Sequence, residues 1–241
     1  MTQISFKDPT RFCTQLAPFL KKLGAQELQL HLCPAFFNLM GLIKNNAAHV
    51  FVKINSPEIE INSENRVIIN AGRVGKVLEQ VNKEHISTLS WNIDSSNLHI
   101  NYSSDSGRDV TYTIPIFLDP SRDMVTNPIE PTLCTEWVLS KEHVETILQL
   151  QQFSNQVLFT NNERHLCVAA SSENVVAKCK LTNAITNLAG ELEAAFFLDL
   201  LSIASKLPGN FLKFKIAQDG NLHVQSIDCF FYFMCGNILI E

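Results

Sequence analysis

Residues 118–132 read LDPSRDMVTNPIEPT, and this stretch interrupts the secondary-structure patterns on either side of it. It contains Pro120, Pro128 and Pro131 together with four charged side chains, and its apolar residues show little periodicity. Proline fixes φ and donates no backbone hydrogen bond, so segments of this kind tend to be extended. The stretch therefore predicts an extended connector between a first domain at 1–117 and a second domain at 133–241.

The same order of helices and strands is predicted on both sides of this connector. The predicted helices are 8–23 and 71–82 in the first half and 140–153 and 196–207 in the second. The predicted strands are 27–32, 35–42, 49–54, 67–70, 86–93, 98–102 and 110–117, then 133–139, 156–160, 166–170, 175–181, 192–195, 211–216, 222–226, 230–234 and 238–240. Asp8 and Ser140 are the predicted N-caps of the first helix of each half, and they are 132 positions apart. We therefore expect an α+β fold of two similar domains, each with two helices on one face of antiparallel sheet.

The composition excludes several classes of protein. Hydrophobic residues make up 46% of the chain and there are 16 Phe, which excludes a disordered chain. The net charge of −5 excludes a basic nucleic-acid-binding tail. Residues 1–5 lack the features of a secretion signal, and polar residues interrupt the apolar stretch at 227–240, so we expect neither secretion nor a membrane span. Seven cysteines without a Cys-x-x-Cys pair indicate reduced thiols in a nuclear or cytosolic protein.

No catalytic motif is found in the sequence. Gly72 and Gly75 lie within a predicted helix and are interpreted as ordinary glycines rather than a phosphate-binding loop. The histidines are dispersed, and Cys229 and Cys235 are interpreted as core thiols. We therefore expect no enzyme activity, no metal and no cofactor.

Basic residues follow the outer face of the two helices predicted in the first half. Residues three or four positions apart share a helix face, and here that face lies opposite the apolar stripe. Glu79 lies to one side of it. An ordinary solvated face and a DNA-binding face are equally expected from this pattern. The candidate DNA-binding residues are Arg11, Lys21, Lys22, Arg73, Lys76 and Lys83.

The helices of the second half are more acidic. Glu142, Glu145 and Asp199 lie on them, and Lys141 and Lys206 are the few cations there. Residues 1–120 hold 11 basic and 11 acidic side chains, and residues 121–241 hold 8 and 13, so the whole net charge falls in the second half.

Several stretches resemble the PCNA family of DNA sliding clamps. The sequence AAHVFV at 47–52 resembles the Ser-Ser-His-Val stretch of that family, and VIIN at 67–70 resembles the strand that leads into its second helix. The sequence FFYF at 230–233 resembles its last strands. The layout of two α+β units with a proline-containing connector is similar over nearly the whole chain.

The sequence VTYTIPI at 110–116, with the prolines that follow it, is more similar to the Hus-type subunit of the heterotrimeric DNA-damage checkpoint clamp. In that family a His-Asp-Ile-Pro-Ile-like strand leads into a proline-containing connector. The chain departs from PCNA near its last residues, where MCGN at 234–237 replaces a Leu-Ala-Pro-Lys segment. A homotrimeric PCNA-like replication clamp and a two-domain enzyme with an unrecognised site remain as alternatives.

The resemblance implies a nuclear, non-enzymatic ring of three clamp-fold chains around double-stranded DNA. A clamp loader and the peptide motifs of checkpoint and repair proteins would be its other partners. The implied subunit interface consists of two strand edges, with Val110, Tyr112 and Ile114 on one and Val175, Ala177 and Cys179 on the other. The implied groove for partner peptides is lined by His49, Val50, Leu118, Ile129 and Phe233. For Val50 and Phe233, a position in the core is an equally good interpretation.

Overall fold

The computed structural model describes residues 1–43, 48–55, 58–117, 135–162, 165–172, 175–181, 185–187, 192–216, 221–227 and 231–236. The chain divides into two compact units, unit 1 at Met1–Asn127 and unit 2 at Pro128–Glu241. The connector predicted at 118–132 lies outside the described residues.

Unit 1 contains nine described strands and two helices. In chain order they are β1 (Thr2–Phe6), α1 (Pro9–Leu23), β2 (Glu27–Cys33), β3 (Phe36–Ile43), β4 (Ala48–Asn55), β5 (Ile59–Ile61), β6 (Asn65–Asn70), α2 (Ala71–Val81), β7 (Ile86–Ile93), β8 (Asn97–Ser104) and β9 (Asp109–Pro115). Five strands pair in the order β5-β1-β7-β8-β9. The other four pair in the order β4-β3-β2-β6, and all these pairings are antiparallel.

Unit 2 repeats this order of elements. They are β10 (Thr135–Ser140), α3 (Lys141–Leu148), β11 (Gln156–Asn162), β12 (His165–Ser171), β13 (Val176–Leu181), β14 (Ile185–Asn187), β15 (Glu193–Phe197), α4 (Leu198–Ala204), β16 (Phe211–Ile216), β17 (Asn221–Ser226) and β18 (Phe231–Gly236). Five strands pair in the order β14-β10-β16-β17-β18, and four in the order β13-β12-β11-β15. The predicted α+β class with antiparallel sheets is confirmed.

Polar side chains define where three of the helices begin. The Asp8 carboxylate accepts a hydrogen bond from the backbone N–H of Arg11 at 2.9 Å, and Pro9 occupies the first turn of α1. Asn70 caps α2 in the same way, and Ser140 forms a reciprocal capping box with His143 in α3. These bonds satisfy backbone donors that have no partner within the helix.

Aromatic side chains fill the core of each unit. In unit 1, Phe12 of α1 packs against Phe6, Phe37 and Trp91, with ring centroids 4.0 to 6.0 Å away. Phe12 thereby joins the helix to strands of both sheets. In unit 2, Trp137 stacks on a phenylalanine of β16 at 5.3 Å. Burial of such large side chains is the main favourable contribution to folding.

The structure differs from the sequence expectation at short or ambiguous elements. The strands β1, β5 and β14 are not among the predicted strands. Helix α3 ends at Leu148 and continues as a 3-10 turn to Gln152, and α4 begins only at Leu198 because the preceding residues pair with β11. The strand predicted at 238–240 lies outside the described residues. Among the helices that are described, none combines the length and the apolar character needed to cross a membrane.

Candidate nucleic-acid interface

The two helices of unit 1 pack closely and antiparallel. The N–H of Gly72 donates to the carbonyl of Gly24 at 2.6 Å, and the Thr14 hydroxyl donates to the Asn82 side chain at 2.9 Å. A Cβ placed on Gly75 would lie 2.4 Å from the backbone nitrogen of Lys21. The predicted helical position of Gly72 and Gly75 is confirmed, and both are also positions where a side chain would push α1 and α2 apart.

The exposed side of this helix pair carries the six predicted DNA-binding residues. All six side chains are exposed, and the apolar stripes of both helices are buried beneath them. We call this exposed surface the cationic helix face. It consists of Arg11, Lys21, Lys22, Arg73, Lys76 and Lys83.

Acidic residues compensate part of this charge. The ammonium of Lys21 donates to both carboxylate oxygens of Glu79 at 2.7 and 2.8 Å, which links α1 to α2. The hydrogen bond from Lys21, together with the positive charges of Lys21 and Lys83, holds the pKa of Glu79 below its usual value. Arg11 pairs with Glu58 at 3.3 Å.

Four cations of the cationic helix face remain available to a ligand. Within the described part of the chain, no ion pair involves Lys22, Arg73, Lys76 or Lys83. The sequence indicated that Glu79 lies to one side of its helix but gave no sign that it reaches Lys21. That contact depends on the spacing between the two helices, so it cannot be predicted from the residue periodicity of either helix.

In unit 2 the corresponding helices present a different surface. Glu142, Glu145 and Asp199 are exposed on α3 and α4. The ammonium of Lys141 donates to the backbone carbonyls of Ser205 and Leu207, just beyond the end of α4.

This position changes the chemistry of Lys141. Burial, with a smaller contribution from the charge of Lys206, lowers the pKa of Lys141 to about 8. Lys141, one of the few cations on these helices, is therefore half-buried and bound to its own unit.

The two predicted interface strands lie at sheet edges. Strand β9 ends the five-stranded sheet of unit 1, and β13 ends the four-stranded sheet of unit 2. Among the candidate residues on β9, Val110 and Tyr112 are half-buried and Ile114 is buried. Tyr112 stacks on Tyr102 with ring centroids 6.4 Å apart.

On the other edge, Ala177 and Cys179 are half-buried. Val175 directly precedes β13 and is 45% exposed. An edge strand leaves one row of backbone donors and acceptors without a partner, so both edges can accept a further strand.

Most of the predicted peptide groove cannot be assigned. Leu118 and Ile129, as well as the side chains of His49 and Phe233, lie outside the described part of the structure. Val50 is only 2% exposed, and its position in β4 opposite Gly41 places it in the core of unit 1. The core interpretation therefore describes Val50 better than the groove interpretation.

Within the described ranges, no three His, Cys, Asp or Glu side chains come together as a metal site.

Comparison with known proteins identifies the fold. No protein-family model and no curated protein sequence matches this chain. Among solved structures, PCNA from Thermococcus kodakaraensis matches with a TM-score of 0.80 and 13% identity, over 99% of this chain and 100% of that one. The proliferating cellular nuclear antigen of Entamoeba histolytica matches with a TM-score of 0.83 and 12% identity, over 99% of both chains. The chain has the fold of PCNA clamps over its whole length.

Proposed function

We propose that this chain is a non-enzymatic subunit of a ring-shaped clamp that encircles duplex DNA. The observation that carries the proposal is the cationic helix face of unit 1 within a chain that has the PCNA clamp fold throughout. A clamp needs positive charge that contacts phosphates without reading bases, because phosphate contacts position a protein on DNA and carry no direct sequence information. Lys22, Arg73 and Lys76 meet that requirement.

The DNA contact is tested by reversing two of these charges. The double variant Arg73→Glu/Lys76→Glu, in the assembled ring, should bind DNA more weakly. Each lost phosphate contact should reduce the slope of log affinity against log salt by about 0.9. The control is Lys53→Glu/Arg66→Glu, which makes the same change in net charge on strands β4 and β6. An unchanged slope in the helix variant, or an equal change in the control, would contradict the proposal.

We further infer that the ring is heteromeric and acts in the DNA-damage checkpoint. A homotrimer would present the acidic helices of unit 2 three times to DNA phosphate, which is electrostatically unfavourable. Lys141 offsets little of that charge, because its ammonium is bound to backbone carbonyls. In a heteromeric ring, two other clamp-fold chains can supply the missing positive charge.

Mass measurement separates this inference from the second candidate function. A PCNA-like replication clamp is the second candidate, since both solved structures compared above are PCNA. Light scattering after gel filtration should give a monomer near 27.1 kDa for the isolated chain at micromolar concentration. A stable mass near three times that value would refute the heteromeric ring and favour the replication clamp. A low-resolution map of the assembled protein that shows a central hole of DNA width would exclude an ordinary two-domain enzyme.

The remaining partners are proposed from the same family resemblance. A clamp loader would place the ring on DNA in the nucleus. Peptide motifs of repair and checkpoint proteins would dock near the segment at 118–132, in the groove that the resemblance implies for His49 and Phe233. Hydrogen exchange with such peptides should protect these residues, and protection confined to α3 and α4 would contradict the location.

A further inference from the structure

The edge strand β13 presents a row of uncompensated positive charge. Val176, Lys178 and Lys180 alternate along it and are exposed, with Val176 at 62%. Across the sheet, Lys178 lies opposite Ala169 and Lys180 lies opposite Cys167, so neither neighbour on β12 is acidic. Among the residues that the structure describes, neither lysine takes part in an ion pair.

The second predicted interface edge, β9, is almost neutral on its exposed row. That row consists of Asp109, Thr111, Thr113 and Pro115. Its polar groups already have partners on β8. The Ser103 hydroxyl donates to Asp109 at 2.6 Å, the Thr111 hydroxyl donates to Asn101 at 2.8 Å, and Thr113 lies 3.1 Å from a ring nitrogen of a β8 histidine.

The two edges of this chain are therefore poorly matched to each other. The exposed row of β9 carries one carboxylate, so at most one of Lys178 and Lys180 can face an acid in any register. The second lysine would lie opposite a threonine. Directly opposed charges of opposite sign stabilise a strand pair, whereas lysines on an edge oppose pairing with a strand that cannot neutralise them.

We propose that β13 pairs with an edge strand of a different chain that carries carboxylates at two alternate positions of its exposed row. This inference rests on the proposed ring, since it supplies the chemistry of one subunit contact. Specificity is a difference between affinities, and here Lys178 and Lys180 produce it by favouring an acidic partner and disfavouring a second copy of this chain.

The chain itself provides the probe. Thr111→Glu would place a second carboxylate two residues after Asp109, which creates the acidic row on β9 that the proposal requires. Thr111→Gln is the matched control, because it has the same size and loses the same hydroxyl without adding charge. Sedimentation equilibrium of the full chain measures self-association for both variants.

The Glu variant should self-associate about two- to fivefold more tightly than the Gln variant at low salt, from the energy of one added cross-strand ion pair. The difference in self-association between the two variants should vanish at about 1 M salt, where exposed charges are screened. Adding Lys178→Glu/Lys180→Glu to the Glu variant should remove the gain. Thr111→Asp and Thr111→Asn repeat the comparison with shorter side chains if circular dichroism shows that Thr111→Glu does not fold.

Three results would overturn the proposal: equal association of the Glu and Gln variants, including no association of either; a difference that persists at high salt; or a gain that survives reversal of both lysines. The measurement uses no DNA. If the assembled ring did not bind DNA, that result would therefore count against the proposed function alone. A negative result in the self-association experiment would count against the proposed charge pairing at β13 alone.

Discussion

The packing of α1 against α2 depends on the absence of a side chain at Gly75. A Cβ there would lie 2.4 Å from the nitrogen of Lys21 and 2.8 Å from the carbonyl carbon of Leu20, where ordinary contact begins at 3.4 Å. Both are backbone atoms, so no rotamer change relieves the overlap. Gly75→Ala should therefore force the helices apart, at a cost near the upper end of about 1–3 kcal/mol for an overpacked core.

Alanine also has a higher helix propensity than glycine, which offsets about 1 kcal/mol of this cost. The net expectation is a free energy of unfolding about 2 kcal/mol lower than that of the wild type. Urea unfolding followed by Trp91 fluorescence would measure this free energy for unit 1. All variants would also carry Trp137→Phe, so that unit 2 contributes no tryptophan fluorescence. Trp91 is a suitable reporter because its ring packs against Phe12 of α1.

Gln80→Ala is the control, since Gln80 is exposed on the same helix. Its effect should stay within about 0.5 kcal/mol, as for most surface substitutions. If Gly75→Ala matched or exceeded the wild type in stability, the close helix contact would not exist in solution and the argument from Gly75 would fail.

Three further outcomes are expected from the charged groups. Glu79→Gln should release Lys21, so that DNA binding by the ring tightens and its salt slope steepens by about 0.9; an unchanged slope would show that Lys21 is not limited by Glu79. Lys206→Met should raise the pKa of Lys141 above about 8, because the substitution removes a nearby positive charge that lowers this pKa. NMR titration of the lysine side chains would measure the shift. An unchanged pKa of Lys141 would show that Lys206 is not a cause. Asp94 has its pKa lowered to about 2 from 3.8 by hydrogen bonds to its carboxylate, so its ionised form stabilises the fold above pH 3.8 and the contribution is lost as pH falls toward 2. The stability difference between the wild type and Asp94→Asn should therefore shrink as pH falls from about 4 toward 2, and a difference that stays the same over that range would contradict it.

Much of the fold could be predicted because local signals mark its elements. Asp8 and Ser140 lie at helix starts in the sequence and act as caps in the structure. Strand β8 alternates over all eight of its residues, and β7 alternates from Leu89 to Ile93. A strand of three residues such as β5 offers one and a half periods, too few to distinguish it from a turn, and its neighbours on β1 are far away in sequence.

The candidate site could be predicted only in part, for a related reason. Helical spacing indicates which side chains share a face, and all six predicted cations are indeed exposed. Whether a cation is already neutralised depends on distances between elements. The Lys21–Glu79 pair crosses two helices, and Lys141 reaches carbonyls that follow another helix of its unit. Such contacts are determined by tertiary packing and produce no periodic pattern in the sequence.

The contrast between the two units shows which part of the sequence is free to specify function. Both units have the same order of elements and the same two sheet arrangements, although their residues differ throughout. The fold is fixed by buried rows and by caps, and these constrain the exposed rows very little. Solved clamps at 12% and 13% identity share the fold for the same reason.

In this chain, the exposed rows differ between the units. Unit 1 carries a cationic helix face, and unit 2 carries acidic helices and the lysine edge β13. The proposed ring, which needs positive charge around DNA and two matched edges at every contact, would therefore be completed better by foreign chains than by copies of this one.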